Sequence, residues 1–423
     1  MRPLPVTEKR AVGGPVGQGL LAAYFGVAFA AWLAATVEAV RAAGDLAAGN
    51  PLATAPVLAV HLLALGALPF AVSGACFHLL PVMLRNDLPS QRALWAALVL
   101  LCGAFPLAWG VADGVAAAVW VGASALTCGL AIVLWEIGTL VVRAPSGRML
   151  IASRVGVALS CAHVVVALCL GALIFAQDRP FWGLGYGSWL LIHLHVALLG
   201  WVALLVVAVG RTLGPMLAQA PTAAARSWPV EEVVLTAGLW LLLAGIGVGV
   251  RAVTLAGAAV VLLALARFGT LMLQVARTRR APLEAPLAHL LVGVAFLVQA
   301  AGTGLAAAAG GRTWRFVSGY LVLLLVGWAG GVVLGHAGKL LSLSVWVWWP
   351  PGPRPKQAEL YPRRLGLVEA AAFAVGVEAL ALGVFVGSSA LARAGAVVLC
   401  GSAVLTLAGA LFTWRRLGST SAA

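Results

Sequence analysis

The sequence predicts an all-α integral membrane protein of twelve transmembrane helices, N-in/C-in, with parallel internal repeats. Three observations carry that prediction. Of 423 residues, 62% are hydrophobic and only 9% are charged, against roughly 25% charged in a soluble domain. The apolar residues form runs long enough to cross about 30 Å of hydrocarbon, which takes about 20 helical residues. The 27 lysines and arginines sort almost entirely to one side of those runs. So few charges cannot cover a water-facing surface, and the bilayer is the solvent.

Cut at its charged and Pro/Gly breaks, the chain gives spans near 19–41, 54–83, 91–111, 114–141, 150–176, 187–213, 231–250, 252–275, 286–309, 315–341, 366–388 and 391–414. Only Arg251 parts the seventh from the eighth. With the first residue in the cytoplasm, Arg41, Arg179, Arg251, Arg312, Arg315 and Arg393 fall outside, and every other Lys and Arg falls inside. A missed helix would scramble that split. The chain therefore reads as a cytoplasmic tail (1–18), one twelve-helix domain (19–414) and a second cytoplasmic tail (415–423), multi-pass in a bacterial inner membrane. Residues 1–18 are polar and proline-broken, without the layout of a signal peptide. WPPGPRPKQAELYPRR (349–364) reads as a stiff basic surface loop. Trp182, Trp189, Trp314, Trp346, Trp348 and Trp349 gather at span ends as an aromatic belt, and most of the 50 glycines serve close helix packing.

Several function classes drop out. The net charge of +14 is topology rather than a nucleic-acid surface, because it is not clustered on a polar module. The six cysteines lie in apolar runs, with no CxxC pair and no CxxCH haem-attachment site. There is no GxSxG, no P-loop and no HExxH.

Two segments align along their whole length. HLLALGALPFAVSGACFHLLPVML begins at His61 and HVALLGWVALLVVAVGRTLGPML at His195. Each carries a glycine five residues on (Gly66, Gly200) and a proline twenty residues on (Pro81, Pro215). LLLVGWAGGVVLGHAGKLLSLSVW shares Gly327-Trp328 with Gly200-Trp201 but lacks the leading histidine, and has Ser342 where the proline would stand. All three run from outside to inside, so the repeats are parallel, with an axis along the membrane normal. Sites in membrane folds built this way tend to lie between repeats.

All seven histidines fall inside predicted spans, where an ionisable group is a functional candidate. His61, His193 and His195 lie toward the outer surface, His163 near the middle, and His78, His289 and His336 toward the inner surface. His61 and His78 are about 25 Å apart along one helix and cannot share a metal. His193 and His195, two residues apart, point about 200° from one another and serve different neighbours. His61 and His195 are equivalent by the repeat and suit axial ligands to one haem, with Gly66 and Gly200 making room for the macrocycle. The alternative for each is a hydrogen bond to a carbonyl or hydroxyl of a neighbouring helix. The inner three read as metal ligands of a second haem, as a proton-entry route, or as groups satisfied by headgroups and water. Glu378, mid-span in the eleventh helix, reads as the most deeply buried carboxylate and a candidate proton relay.

Twelve spans, a histidine in the second helix and an intramembrane His-x-His resemble subunit I of the haem–copper oxidases. The chain also resembles membrane proteins of the NnrS type, associated with nitric-oxide response, through Gly335-His336-Ala337-Gly338-Lys339. The resemblance implies that His61 and either His193 or His195 hold a b-type haem, with the other at a second site. Copper is the further metal it implies, but the His-Pro-Glu-Val-Tyr stretch of that family's copper site is absent. The expected function is a haem-binding membrane protein that transfers electrons or binds NO or O2, with a respiratory electron donor or partner subunit. If it is an enzyme, it is an oxidoreductase of that type without the usual copper motif. The competing expectation is a proton or metal-ion transporter using the histidine ladder, with Cys76, Cys161 and Met83 as soft ligands. A third is a scaffold subunit with dispensable histidines.

Overall fold

The computed structural model describes residues 17–84, 86, 90–144, 148–176, 184–221, 228–310, 313–349 and 355–418. Among them no strand forms. Helix is the form open to such runs, because hydrocarbon offers no partner for a backbone N–H or C=O. Twelve helices are long and apolar enough to cross a membrane: α1 (Gly19–Ala48), α2 (Thr54–Leu84), α3 (Gln91–Asp113), α4 (Ala116–Arg143), α5 (Ile151–Ala176), α6 (Tyr186–Ala218), α7 (Val230–Val248), α8 (Arg251–Thr278), α9 (Ala285–Ala308), α10 (Trp314–Val347), α11 (Arg363–Val386) and α12 (Ser389–Arg416). Each corresponds to one predicted span, including the division at Arg251. There Gly249 ends α7 in the left-handed conformation (φ 71°), which costs a glycine nothing.

The twelve helices are three copies of a four-helix unit: α1–α4, α5–α8 and α9–α12. Within each unit the third and fourth helices form a tight hairpin, and the second packs on the first. The hairpins share their chemistry. Their turns use Gly114, Gly249 and Gly387, all with φ near 71–72°. Their crossings use Gly110, Gly245 and Gly383, placed against the backbone amides of Val119, Thr254 and Ala392. A methyl on Gly110 would stand 2.8 Å from the Val119 nitrogen, and on the other two it would stand closer still. Gly122, Gly257 and Gly395 repeat the pattern one level deeper, against Leu107, Leu242 and Leu380. Bare backbone on both sides lets the helix axes approach as only small residues allow.

The second helices α2, α6 and α10 meet around the centre, where α10 touches both of the others. Each widens into a π-helical segment at the same place: Leu62–Ala67, Val196–Ala203 and Val322–Gly330. These contain Gly66, Gly200 and Gly327, so the third copy keeps the backbone feature of the repeat after losing its histidine. α10 is the most enclosed span (72% of its apolar window buried) and α9 the least (22%). The ring closes firmly where α1 lies along α12, while α4 meets α5 and α8 meets α9 along looser seams.

Two expectations change. Glu378 is not the most deeply buried carboxylate: it lies on the outer surface of the bundle, bonded to Gln299 (3.1 Å). Glu136, Glu231, Glu232 and Glu369 are the buried ones. The 349–364 stretch is not wholly a surface loop either. Residues 350–354 lie outside the described residues, as do Trp182 and residues 1–16, but Gln357–Leu360 forms one helical turn and Leu360 is fully buried. Thr413 donates to the Leu360 carbonyl (2.9 Å). Tyr361 follows, tucked against Gly366 and Gly409. Burial and the nearby Glu369 carboxylate push its hydroxyl well above the ordinary tyrosine range.

Candidate functional site

The outer histidines come from α2 and α6, each just before its π-helical segment. In an α-helix the carbonyl four residues back lies within reach of an imidazole, and this sets their tautomers. His61 Nδ1 lies 2.7 Å from the Val57 carbonyl and His195 Nδ1 2.7 Å from that of Leu191. His193 turns the other way and places Nδ1 3.0 Å from the Ala167 carbonyl on α5. A carbonyl only accepts, so each Nδ1 carries the proton and each Nε2 keeps its lone pair as an acceptor. That is the tautomer a metal-ligating histidine uses.

The opposed directions read from His193-Leu194-His195 are realised. His193 faces α5, against Gly171. His195 faces α10, where the Tyr320 hydroxyl donates to its Nε2 (3.1 Å). The rings of His195 and Tyr320 stack at 5.9 Å.

His195 and Tyr320 stand in the wall of a cleft of about 140 Å³ between the second and third units. The rest of the lining is almost entirely apolar, including Leu199, Leu242, Val261, Leu297 and Leu324. The cleft follows the loose seam between α8 and α9. A second cavity of about 100 Å³ lies deeper between α6 and α10, lined by Cys76, Met272 and His336. Gly66 and Gly200 open onto neither. The notch at Gly200 is filled by the imidazole of His163 on α5, and the one at Gly66 by Ala31 and Phe105. His163 bonds the Leu159 carbonyl through Nδ1 (2.7 Å), and its buried Nε2 has no partner among the described residues.

The inner histidines are dispersed. His78 Nδ1 lies 3.3 Å from the Ser344 hydroxyl, and His336 Nδ1 lies 2.7 Å from the Val332 carbonyl. His289 meets a group that the sequence did not single out. Its Nε2 lies 2.7 Å from Glu369 Oε2, with both side chains almost fully buried. The other carboxylate oxygen accepts from Ser402 (2.9 Å) and Thr406 (3.1 Å) on α12. His289 Nδ1 is buried with no partner among the described atoms. A small cavity of about 30 Å³ joins Glu369 and Thr406 to Tyr361, Arg363 and the Lys339–Glu284 ion pair (2.7 Å). That volume holds a water or two.

Among the described residues, no three His, Cys, Asp or Glu side chains converge as a metal cage. Of the six histidines read as metal ligands, the structure holds His61 and His193 on the carbonyls of Val57 and Ala167, gives His195 a cleft and Tyr320, bonds His78 to Ser344 and His289 to Glu369, and holds His336 on the Val332 carbonyl. Tyr320 and Glu369 escaped sequence reasoning, although both lie within or beside predicted spans. No protein-family model matches the chain, and no curated protein is significantly similar to it.

Proposed function

We propose that the chain is a haem-binding protein of a bacterial cytoplasmic membrane, in which His195 would hold the haem, and that it exchanges electrons with a respiratory partner or binds a diatomic gas such as NO or O2. The observation that carries this reading is His195 itself. Its tautomer is fixed by Leu191, and its Nε2 lone pair, which accepts from the Tyr320 hydroxyl, lies in the wall of an apolar cleft, so a haem iron would take the place of that hydrogen bond. Haem needs one imidazole and an apolar face, whereas a copper centre needs several converging ligands, so the donor set favours haem. A b-type haem held there would supply an iron that takes up an electron or a diatomic gas. The protein's part is to orient His195, exclude water with Leu199, Leu242, Val261 and Leu324, and place the Tyr320 hydroxyl beside the ligand. His61 and His193 are two further imidazoles whose Nδ1 is held by a carbonyl, which leaves Nε2 to ligate.

Purified protein expressed with ample haem is expected to show a Soret band and a sharp α-band in the dithionite-reduced minus oxidised spectrum. His195→Ala should remove at least half of the haem counted as pyridine haemochrome, and Tyr320→Phe should shift the Soret band without loss of haem. A haem-free wild type ends this reading.

Proton translocation is a second reading, favoured by the buried His289–Glu369 pair and the small cavity beside Glu369. In proteoliposomes enclosing a pH-sensitive dye, the wild type should dissipate a proton gradient and Glu369→Gln should not. Equal rates for wild type, variant and empty vesicles dismiss it.

A further inference from the structure

The geometry points to a symmetric dimer of this chain, formed through the outer face of α9 and α11 and closed by Gln299 and Glu378. Both side chains are exposed on the outside of the bundle, yet each lies well inside its span. Val386 and Ala308 end those spans eight and nine residues further on, so the pair sits about 12 Å inside the nearer end of the helices. A carboxyl facing lipid at that depth is expensive, and such groups turn toward protein.

What protein fits is set by the hydrogen-bond inventory. A carboxamide nitrogen carries two hydrogens, and a carboxylate accepts at both oxygens. Gln299 spends one hydrogen on Glu378 Oε2 of its own chain (3.1 Å). The remaining hydrogen and the other carboxylate oxygen are complementary to the same two atoms on a second copy. A two-fold axis between the copies closes a ring of four hydrogen bonds in which each Gln299 bridges both carboxylates. Isologous contacts of this kind are the commonest way for a chain to pair with itself.

The surrounding surface permits the approach. α9 is the least covered of the twelve spans. Ala295, Gly302 and Ala306 share its exposed face with Gln299, and a methyl built on Gly302 meets no atom within 4 Å. Small residues around one polar contact suit close packing of α9 against its copy.

The test uses the full chain with the exposed Cys128 and Cys169 replaced by alanine, and Gly302→Cys added. In membranes under mild oxidation this protein should give a band at twice the monomer mass, and the same background with Gly302 intact should not. In lipid nanodiscs at fixed protein-to-lipid ratio, Gln299→Leu with Glu378→Leu should weaken the dimer by about tenfold or more. Glu378→Gln, which still offers an accepting oxygen, should keep it. The cross-link needs no change in the polar pair, so it stands even if the leucine variants misfold. A monomeric wild type without a cross-linked band overturns the proposal, as does capture of a different membrane helix by the introduced thiol instead of a second copy.

Discussion

Gly245→Ala and Gly383→Ala are each expected to cost about 3 kcal/mol of stability, near the upper end for one methyl forced into a packed interior. At both positions the new Cβ would collide with a backbone amide, of Thr254 or Ala392, which no rotamer change can clear. The helices of the α7/α8 and α11/α12 hairpins would have to part along much of their length. Gly138→Ala and Gly401→Ala are the controls, because a methyl there meets no atom within 4 Å. Those two should hold or gain a few tenths of a kcal/mol through helix propensity. Thermal unfolding in detergent, followed by loss of the monodisperse peak, separates the two classes. If all four melt together, the glycine crossings are not what hold the hairpins closed.

Glu369→Leu should lose about 3 kcal/mol, because buried donors are left without their acceptor. The change strands the imidazole of His289, whose Nδ1 already lacks a partner among the described atoms, and takes the acceptor from the Ser402 and Thr406 hydroxyls. His289→Leu with Glu369→Leu should recover most of that loss, because replacing both members of a buried pair by apolar groups of similar size is often neutral. Thr406 keeps an acceptor in the Ser402 carbonyl (3.1 Å). A double variant as unstable as the single one would show that the cluster matters through its shape rather than its hydrogen bonds.

The spans were legible because the limits of a membrane helix are written in charge and turn residues, and Arg251 alone sufficed for the shortest gap. The repeat was legible from Gly66, Gly200 and Gly327, which mark the same turn of α2, α6 and α10. What escaped was facing. In water a helix shows its buried side by being apolar there, but in lipid both sides are apolar and the period carries little information. Glu378, central in its span, looked buried and faces outward. Glu369, six residues beyond the basic Arg363, was not singled out and is buried against His289, 80 residues away in sequence. Tyr320 meets His195 across 125 residues. Such pairings are set by which helices become neighbours, and no local pattern records that. The notches at Gly66 and Gly200 show the same limit, since a glycine announces a close approach without naming what approaches.

The π-helical turns of α2, α6 and α10 have a mechanical consequence. Such a turn accommodates about one residue more than an unbroken α-helix, and one residue corresponds to about 100° of rotation. The two halves of each central helix are therefore out of phase, like a shaft with an offset coupling. In α6 the half before the coupling aims His193 and His195 sideways at α5 and α10, while the half after it sends Arg211 to Glu231 and Glu232 at the start of α7. The site above the coupling and the ion pairs below it are thus angularly independent, so substitutions can reshape one half of the span without turning the other.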